Sequence, residues 1–319
     1  MVFINFFWRE YKLVMKKLVA GIDIGGTNTV FGLVDSSGNI LYKDAIPTTK
    51  FLLPEDLVKA VASHIQKDSL LFIDKFELLG VGIGAPNGNF FNGTVEFAPN
   101  LKWKGIVPLA KLFSDQLNCK AVLTNDAKAA AMGEMIFGGA QGMKDFIFIT
   151  LGTGLGSGIV VNGQLVYGHD SFAGEIGHVI MFSDGRACGC GRNGCLETYC
   201  SATGLIKTYQ QLIKNDAQTI DSKYIYDQAQ IGDKYALEAF NFSGDILGLA
   251  LANSVAYTSP EAIFLFGGLA LAGDYIFKPT IESFEKNLLR IYKNKIKILP
   301  SQLPSNNAGI LGAASLVFF

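Results

Sequence analysis

Within the stretch "GHVIMFSDGRACGCGRNGCLE", His178, Cys188, Cys190 and Cys195 offer one imidazole nitrogen and three sulfurs, at spacings of ten, two and five residues. Such ligands, with no carboxylate among them, describe a closed tetrahedral Zn2+ site. Gly185, Gly189, Gly191 and Gly194 let a short loop wrap an ion, and Arg186, Arg192 and Asn193 make that loop too polar for a core of unliganded thiols. A full ligand set leaves no position for an activated water, so the expected zinc is structural and contributes folding energy. Chemistry then falls to the flanking acids. Glu175 stands three residues before His178 and Glu197 two after Cys195. Both carboxylates can accept hydrogen bonds from the vicinal hydroxyls of a polyol held against this loop.

A second candidate lies in "AVLTNDAKAAAMGEMIFGG", which reads as a strand running into a helix with Asn125 and Asp126 at the junction. Asn and Asp are favoured helix caps, so one of them has a purely local use open to it. The other reading makes Asp126 a carboxylate at the C-terminal end of a strand, where open α/β sheets place ligands. There it would take the proton from a hydroxyl attacking phosphorus.

Two glycine turns complete the set. "GIDIGGTNT" is followed by another alternating run rather than by a helix, which excludes a dinucleotide fingerprint. Glycines in a strand–strand turn let backbone N–H groups converge on an anion. Gly25, Gly26, Thr27 and Asn28 form the first turn, and Gly152, Thr153 and Gly154 of "LGTGLGSG" are their equivalents in the second. Asp23, just before the first turn, is placed to hold Mg2+ at a phosphate. Gly267 and Gly268 follow the apolar strand "AIFLF" and offer close backbone approach to a flat adenine.

The elements that must position these groups repeat along the chain. "LVAGIDIGGTNTVFGLVDSSGNILY" reads as strand, glycine turn, strand, turn, strand, and "FIFITLGTGLGSGIVVNGQLVYG" has the same order. Two related α/β domains with one phosphate turn each are therefore expected. Helical periodicity covers 54–68 with Pro54 in the first turn, 197–214, 234–256 and 274–292, and a last helix is expected in "AGILGAASLVF". Residues 1–16 read as an N-terminal extension. An N-terminal domain at 17–137, rejoined by 306–319, and a C-terminal domain at 138–305 complete the expected division.

Composition limits the partners. Of 319 residues, 49% are hydrophobic and 17% charged, and 27 basic against 28 acidic residues leave a net charge of −1. That balance gives no reason to expect nucleic acid or a membrane surface. "MVFINFFWRE" is apolar but lacks the basic start and cleavage site of a signal peptide, and it is too short to span a bilayer. Five cysteines, mostly bunched in one segment, suit a reducing cytoplasm rather than a disulfide framework. His64 and His169 have no chemical company in sequence and read as ordinary surface or polar-core residues.

From Lys17 to Phe319 the chain resembles the ROK family of sugar kinases, within the actin/hexokinase/Hsp70 superfamily. "DIGGTNT" and "LGTGLGSG" resemble its two phosphate motifs, "TNDAKAAAMGE" its catalytic-aspartate motif, and "GEIGHV…CGCGRNGCLE" its zinc signature. The resemblance implies two ribonuclease-H-like (actin-like ATPase) domains with a ligand cleft between them, ATP and Mg2+ across the turns, and Asp126 as base. It implies sugar contacts from Asn100, Asn125, Asp126, Glu175, His178 and Glu197, with His178 serving metal and sugar together. Many members read Pro-Gly where this chain has Pro86-Asn87-Gly88, so backbone contact near Gly88 is in question and Asn87 offers a side chain instead.

A hexokinase-type activity on glucose is the leading expectation, with a homodimer or higher homo-oligomer. N-acetylmannosamine, N-acetylglucosamine, mannose or fructose as substrate, polyphosphate as donor, and a non-catalytic sugar sensor are the alternatives. The family's repressors carry a DNA-binding domain before the first phosphate motif, and the 22 residues preceding Asp23 are too few and not basic enough to supply one.

Overall fold

A computed structural model describes residues 15–73, 75–215 and 220–319. The expected N-terminal extension lies outside the described residues as far as residue 14. Lys16 already pairs with Phe76 inside a sheet, so the regular structure begins one residue before the expected boundary.

The first sheet takes β1 (Lys16–Ile24), β2 (Asn28–Val34), β3 (Ile40–Pro47), β4 (Phe76–Ala85) and β8 (Ala121–Asn125) in the order β3-β2-β1-β4-β8. Three short strands, β5 (Gly88–Asn89), β6 (Thr94–Glu96) and β7 (Ile106–Val107), form a small sheet beside it. The second large sheet uses β9 (Phe146–Leu151), β10 (Leu155–Val161), β11 (Gln164–Leu165), β12 (Ala262–Phe266) and β13 (Lys297–Pro300) in the order β11-β10-β9-β12-β13. The pattern is the same in both. Three antiparallel strands come first, and two more join parallel on the far side of the first strand. Central strands buried on both faces read as continuous apolar runs, which is why "LVAGIDI" and "FIFITL" look alike.

Helices α1 (Pro54–Gln66) and α2 (Leu109–Leu117) bury Leu57, Val61, Leu109 and Phe113 against one face of the first sheet. On the second half, α4 (Glu197–Cys200), α5 (Ala202–Ile213), α6 (Ser222–Gln230), α7 (Lys234–Thr258) and α8 (Asp274–Asn287) share a core with Ile147, Ile149 and Leu265. The expected helix at 197–214 is broken. Ser201 leaves the helical region at φ −90 and ψ 171, and its hydroxyl accepts from Gly204 N to start α5 afresh. The run expected to reach 292 ends at Asn287, where Leu288 turns extended.

Helices α3 (Asp126–Phe137) and α9 (Ala308–Phe318) lie between the two large sheets, in a core that includes Val19 from one and Phe148 from the other. α9 is apolar around its circumference, and α3 is largely so apart from Asp126, Lys128 and Glu134, as helices covered on several sides tend to be. Small residues bring the backbones close. A Cβ on Gly312 would come within 2.8 Å of the Ala129 carbonyl oxygen, and one on Gly82 would collide with that of Ala313.

Glu134 pins the place where the chain crosses between halves. Its fully buried carboxylate accepts from Gly139 N at 2.8 Å, from the Ser301 hydroxyl and from Gln302 N at 2.9 Å. Glu134→Ala removes the buried acceptor of these three hydrogen bonds, and a stability loss on the order of 3 kcal/mol is expected from urea unfolding.

Candidate active site

Asp126 opens α3 at the C-terminal end of β8. Asn125 caps the helix, its amide oxygen accepting from Ala127 N at 3.0 Å and Lys128 N at 3.4 Å. The capping role therefore belongs to Asn125 and leaves Asp126 for other work. Asp126 Oδ1 is held by Ala127 N at 2.8 Å. Its side chain reaches solvent through a cleft, yet protein surrounds it closely, and that desolvation pushes its carboxyl above the ordinary range.

Asp23 faces the same space from β1. Both carboxylates line a cavity of about 220 Å3 together with Gly84 from the first sheet, Thr150 and Phe266 from the second, and Ser305 and Gly309. Burial, and then the Asp126 charge, raise Asp23 to about 7. Two carboxylates facing one cavity fit a site that receives a divalent cation. Gly309, in the first turn of α9, is forced by this arrangement. A Cβ there would fall onto the Asp23 carboxylate, with its Cγ at 2.6 Å. Gly309→Ala is expected to displace Asp23 and lower kcat by about a hundredfold, in line with the cost of misplacing a reacting centre by an ångström, as steady-state kinetics can check.

The two glycine turns follow the strands that bring Asp23 and Thr150 to this cavity. Gly25 N bonds to Asn28 O at 3.0 Å, leaving Thr27 at an exposed tip, and a Cβ on Gly26 would come within 2.7 Å of the Asn100 carbonyl oxygen. Asn100 thus stands against the first turn. In the second, Gly152 N bonds to Gly154 O at 3.0 Å, and Thr203 Oγ1 donates to Thr153 O at 2.9 Å. Glu197 reaches this turn as well, accepting from Leu155 N at 3.4 Å.

The zinc loop passes a geometric test. All four ligand atoms of His178, Cys188, Cys190 and Cys195 lie within 4.8 Å of one another. Cys190 Sγ is 3.6 Å from Cys195 Sγ, and Cys188 Sγ is 3.6 Å from His178 Nδ1. Tetrahedral bonds of about 2.3 Å to sulfur and about 2.0–2.1 Å to nitrogen give edges of roughly 3.6–3.8 Å. The sulfur separation is also far beyond a disulfide bond. Bonding through Nδ1 leaves His178 Nε2 for another partner. Hydrogen bonding to the Arg192 guanidinium lowers the Cys190 thiol to about 6, whereas burial raises Cys188 and Cys195, so a bound metal would have to displace the last two thiol protons. Glu197 Oε1 accepts from the Cys188 thiol at 2.9 Å, so the ligand set and the second phosphate turn meet in one carboxylate.

Other expected residues fall around this centre less directly. Gly88 packs on β8, where a Cβ would strike the Thr124 carbonyl. Asn87 adopts φ 51, and its amide nitrogen donates to Glu96 O at 3.0 Å, shaping its own loop. Gly267, at φ 104, is explained by Leu151, whose carbonyl oxygen would be 2.6 Å from a Cβ. Gly268 instead opens on a separate cavity of about 320 Å3 lined by Lys223, Tyr226 and Leu271. Those three were not singled out in the sequence, where nothing ties α6 to a glycine pair some forty residues on. Arg186 was read only as loop polarity. It clamps the zinc loop onto α4 and α5, donating to Thr198 O at 2.9 Å and Gln211 Oε1 at 2.7 Å with its guanidinium 4.7 Å over Tyr199. His64 sits half-buried between Asp44 at 2.8 Å and Asp68 at 3.1 Å, far from this chemistry in the sheet order.

Known proteins with this arrangement are close at hand. The glucokinase of Streptomyces coelicolor is 36% identical over 315 residues, covering 94% of this chain and 97% of its own. The glucokinase of Thermotoga maritima is 35% identical over 316 residues, covering 95% and 98%. A ROK family glucokinase from Streptomyces griseus, crystallised with glucose and AMPPNP, superposes with a TM-score of 0.77 at 34% identity, over 94% of this chain and 98% of that one. The fold is that of the actin-like ATPases. The family model described as ROK family matches residues 19–318, and this chain belongs to the ROK family.

Proposed function

We propose that this protein is an ATP-dependent glucokinase, transferring the γ-phosphoryl group of ATP to the 6-hydroxyl of glucose. The observation that carries the reading is Asp126, one oxygen fixed by the helix start and the carboxyl facing a cleft lined by both halves. Relatives that carry the glucokinase name over nearly the whole chain support the substrate, and the Streptomyces griseus structure with AMPPNP supports the donor.

In this reading Asn100, Asn125, Glu175, His178 and Glu197 hold the sugar hydroxyls, with Asn87 and Gly88 closing the same wall. Asp126 accepts the 6-hydroxyl proton as that oxygen attacks the γ-phosphorus, and ADP leaves with the electron pair of the broken bond. Gly25, Gly26, Thr27 and Asn28 hold the phosphates from one side, and Gly152, Thr153 and Gly154 from the other. The adenosine lies by Gly267 and Gly268, in the cavity with Tyr226. Asp23 would hold Mg2+, which supplies charge neutralisation on the phosphoryl oxygens. Closing the two halves excludes water, which would otherwise compete for the phosphoryl group.

The division into 17–137 with 306–319, and 138–305, is part of the same reading. It is supported by the packing of α9 on Gly21 and Gly82 of the first sheet. A homodimer or higher homo-oligomer is carried over from the family resemblance, and sedimentation would test the assembly; the balanced net charge of −1 speaks against a nucleic acid partner. Among the described residues no helix is long and apolar enough to cross a membrane. A cytoplasmic site is proposed from the bunching of the cysteines in one metal-ligating loop rather than in a disulfide framework.

ADP release with ATP-Mg2+ over glucose, mannose, fructose and the two N-acetylhexosamines tests the substrate. The highest kcat/KM is expected on glucose. No hexose-dependent ADP release would contradict the catalytic reading and favour the sensor.

A further inference from the structure

We infer that Lys128 is a positioning residue for the sugar site, an ammonium that ties the segment bearing Glu175 to the first half of the chain. The inference rests on the sugar-kinase reading. Lys128 lies two residues after Asp126 on α3 and is only 1% exposed. Its Nζ donates to Ser171 O at 2.7 Å and stands 6.0 Å over the Tyr167 ring. A charge held inside a protein needs such partners. Burial lowers the Lys128 pKa while the charges of Glu175 and Asp170 raise it, so both carboxylates act on the ammonium through space.

Ser171 shows how firmly this junction is held. It is fully buried at φ 76, a left-handed backbone that a residue with a side chain rarely adopts. Such strain persists where the surroundings over-determine it. Here they do. Ser171 O takes the Lys128 bond, and Ser171 Oγ accepts from Phe90 N at 2.7 Å. Asn89 Nδ2 donates to Asp170 O at 3.2 Å, and the Phe90 ring stacks on Tyr167 at 4.2 Å. Every donor belongs to β5, its following loop or α3, and every acceptor to the segment after β11. Four residues beyond Ser171 comes Glu175, and three more lead to His178. The helix that presents the base at its first position therefore also fixes the opposite wall of the sugar pocket, two residues on.

Removing the ammonium frees that wall without touching either phosphate turn. In K128M the KM for glucose is expected to rise about tenfold or more, the scale set by losing a charged hydrogen bond, while the KM for ATP stays within about twofold. A residue needed only for stability would move both together. S171A weakens the junction from its other side with Lys128 intact, and its glucose KM is expected to move the same way. Amide hydrogen exchange over residues 170–175 gives a readout that needs no sugar. Exchange about tenfold faster or more in K128M, with the second sheet unchanged, upholds the tie even should the parent turn over no glucose. A folded K128M with glucose KM within twofold of a glucose-active parent overturns the inference. So does a parallel rise in both KM values, or parental exchange at 170–175.

Discussion

Asp126→Asn is expected to lower kcat for glucose phosphorylation by about 10²–10⁴-fold, the usual weight of a general base. The asparagine keeps the size of the side chain and an oxygen for the Ala127 N bond, so glucose and ATP binding stay near the parent values. The Asn125 cap is untouched by the change, and α3 keeps its start. The pH profile carries a second signature. A base works only when ionised, and burial raises the Asp126 carboxyl. The acid limb of kcat/KM should therefore lie above the ordinary carboxylate range and fall about tenfold per pH unit below it. In the Asn variant the Asp126 part of that limb should vanish from the residual rate, leaving the part set by Asp23, which burial also raises. Steady-state kinetics from pH 5 to 9 on both proteins check it.

Removing the metal has the second largest effect. The parent should hold about one zinc per chain by elemental analysis, and Cys195→Ser should hold far less. Cys195 is fully buried and bridges Ile180 across the loop, and the next residue's N–H, Leu196 N, donates to Val179 O at 2.9 Å, so loss of the metal loosens the wall around it. Glu197 loses its role in particular. Glu197 Oε1 stands 2.9 Å from Cys188 Sγ, so any shift of the ligand set moves a carboxylate expected to receive a sugar hydroxyl. The expected result is a glucose KM higher by about a hundredfold and a lower melting temperature, with ATP affinity changed little. A zinc-free parent with full activity would remove the metal from the account.

How much of this was legible beforehand follows from the range of the signals. His178, Cys188, Cys190 and Cys195 sit in one loop, so their spacing already encoded their convergence. Asp126 was legible as one of two residues at a strand–helix junction. Choosing between cap and base needed the observation that Asn125 makes the cap. The matching strand orders were readable because each hairpin is local. Long-range contacts were not. Nothing near Gly309 announces that α9 returns to the first sheet and passes its N-terminal turn against Asp23. Nor does periodicity show the break at Ser201, since apolar spacing runs through it and only a side-chain cap marks the new start. Arg186 and Lys128 were invisible for the same reason. A charged residue in a sequence looks solvated until the groups that surround it are known.

The central claim is that Asp126 directs the 6-hydroxyl of glucose onto the γ-phosphorus of ATP. Its most direct test is the identity of the product. After incubation with glucose and ATP-Mg2+, phosphorus NMR of the sugar product should show glucose 6-phosphate formed in step with ADP, and Asp126→Asn should form almost none. Phosphate released to water in place of a sugar phosphate, transfer to another hydroxyl, or equal product from the variant would contradict it.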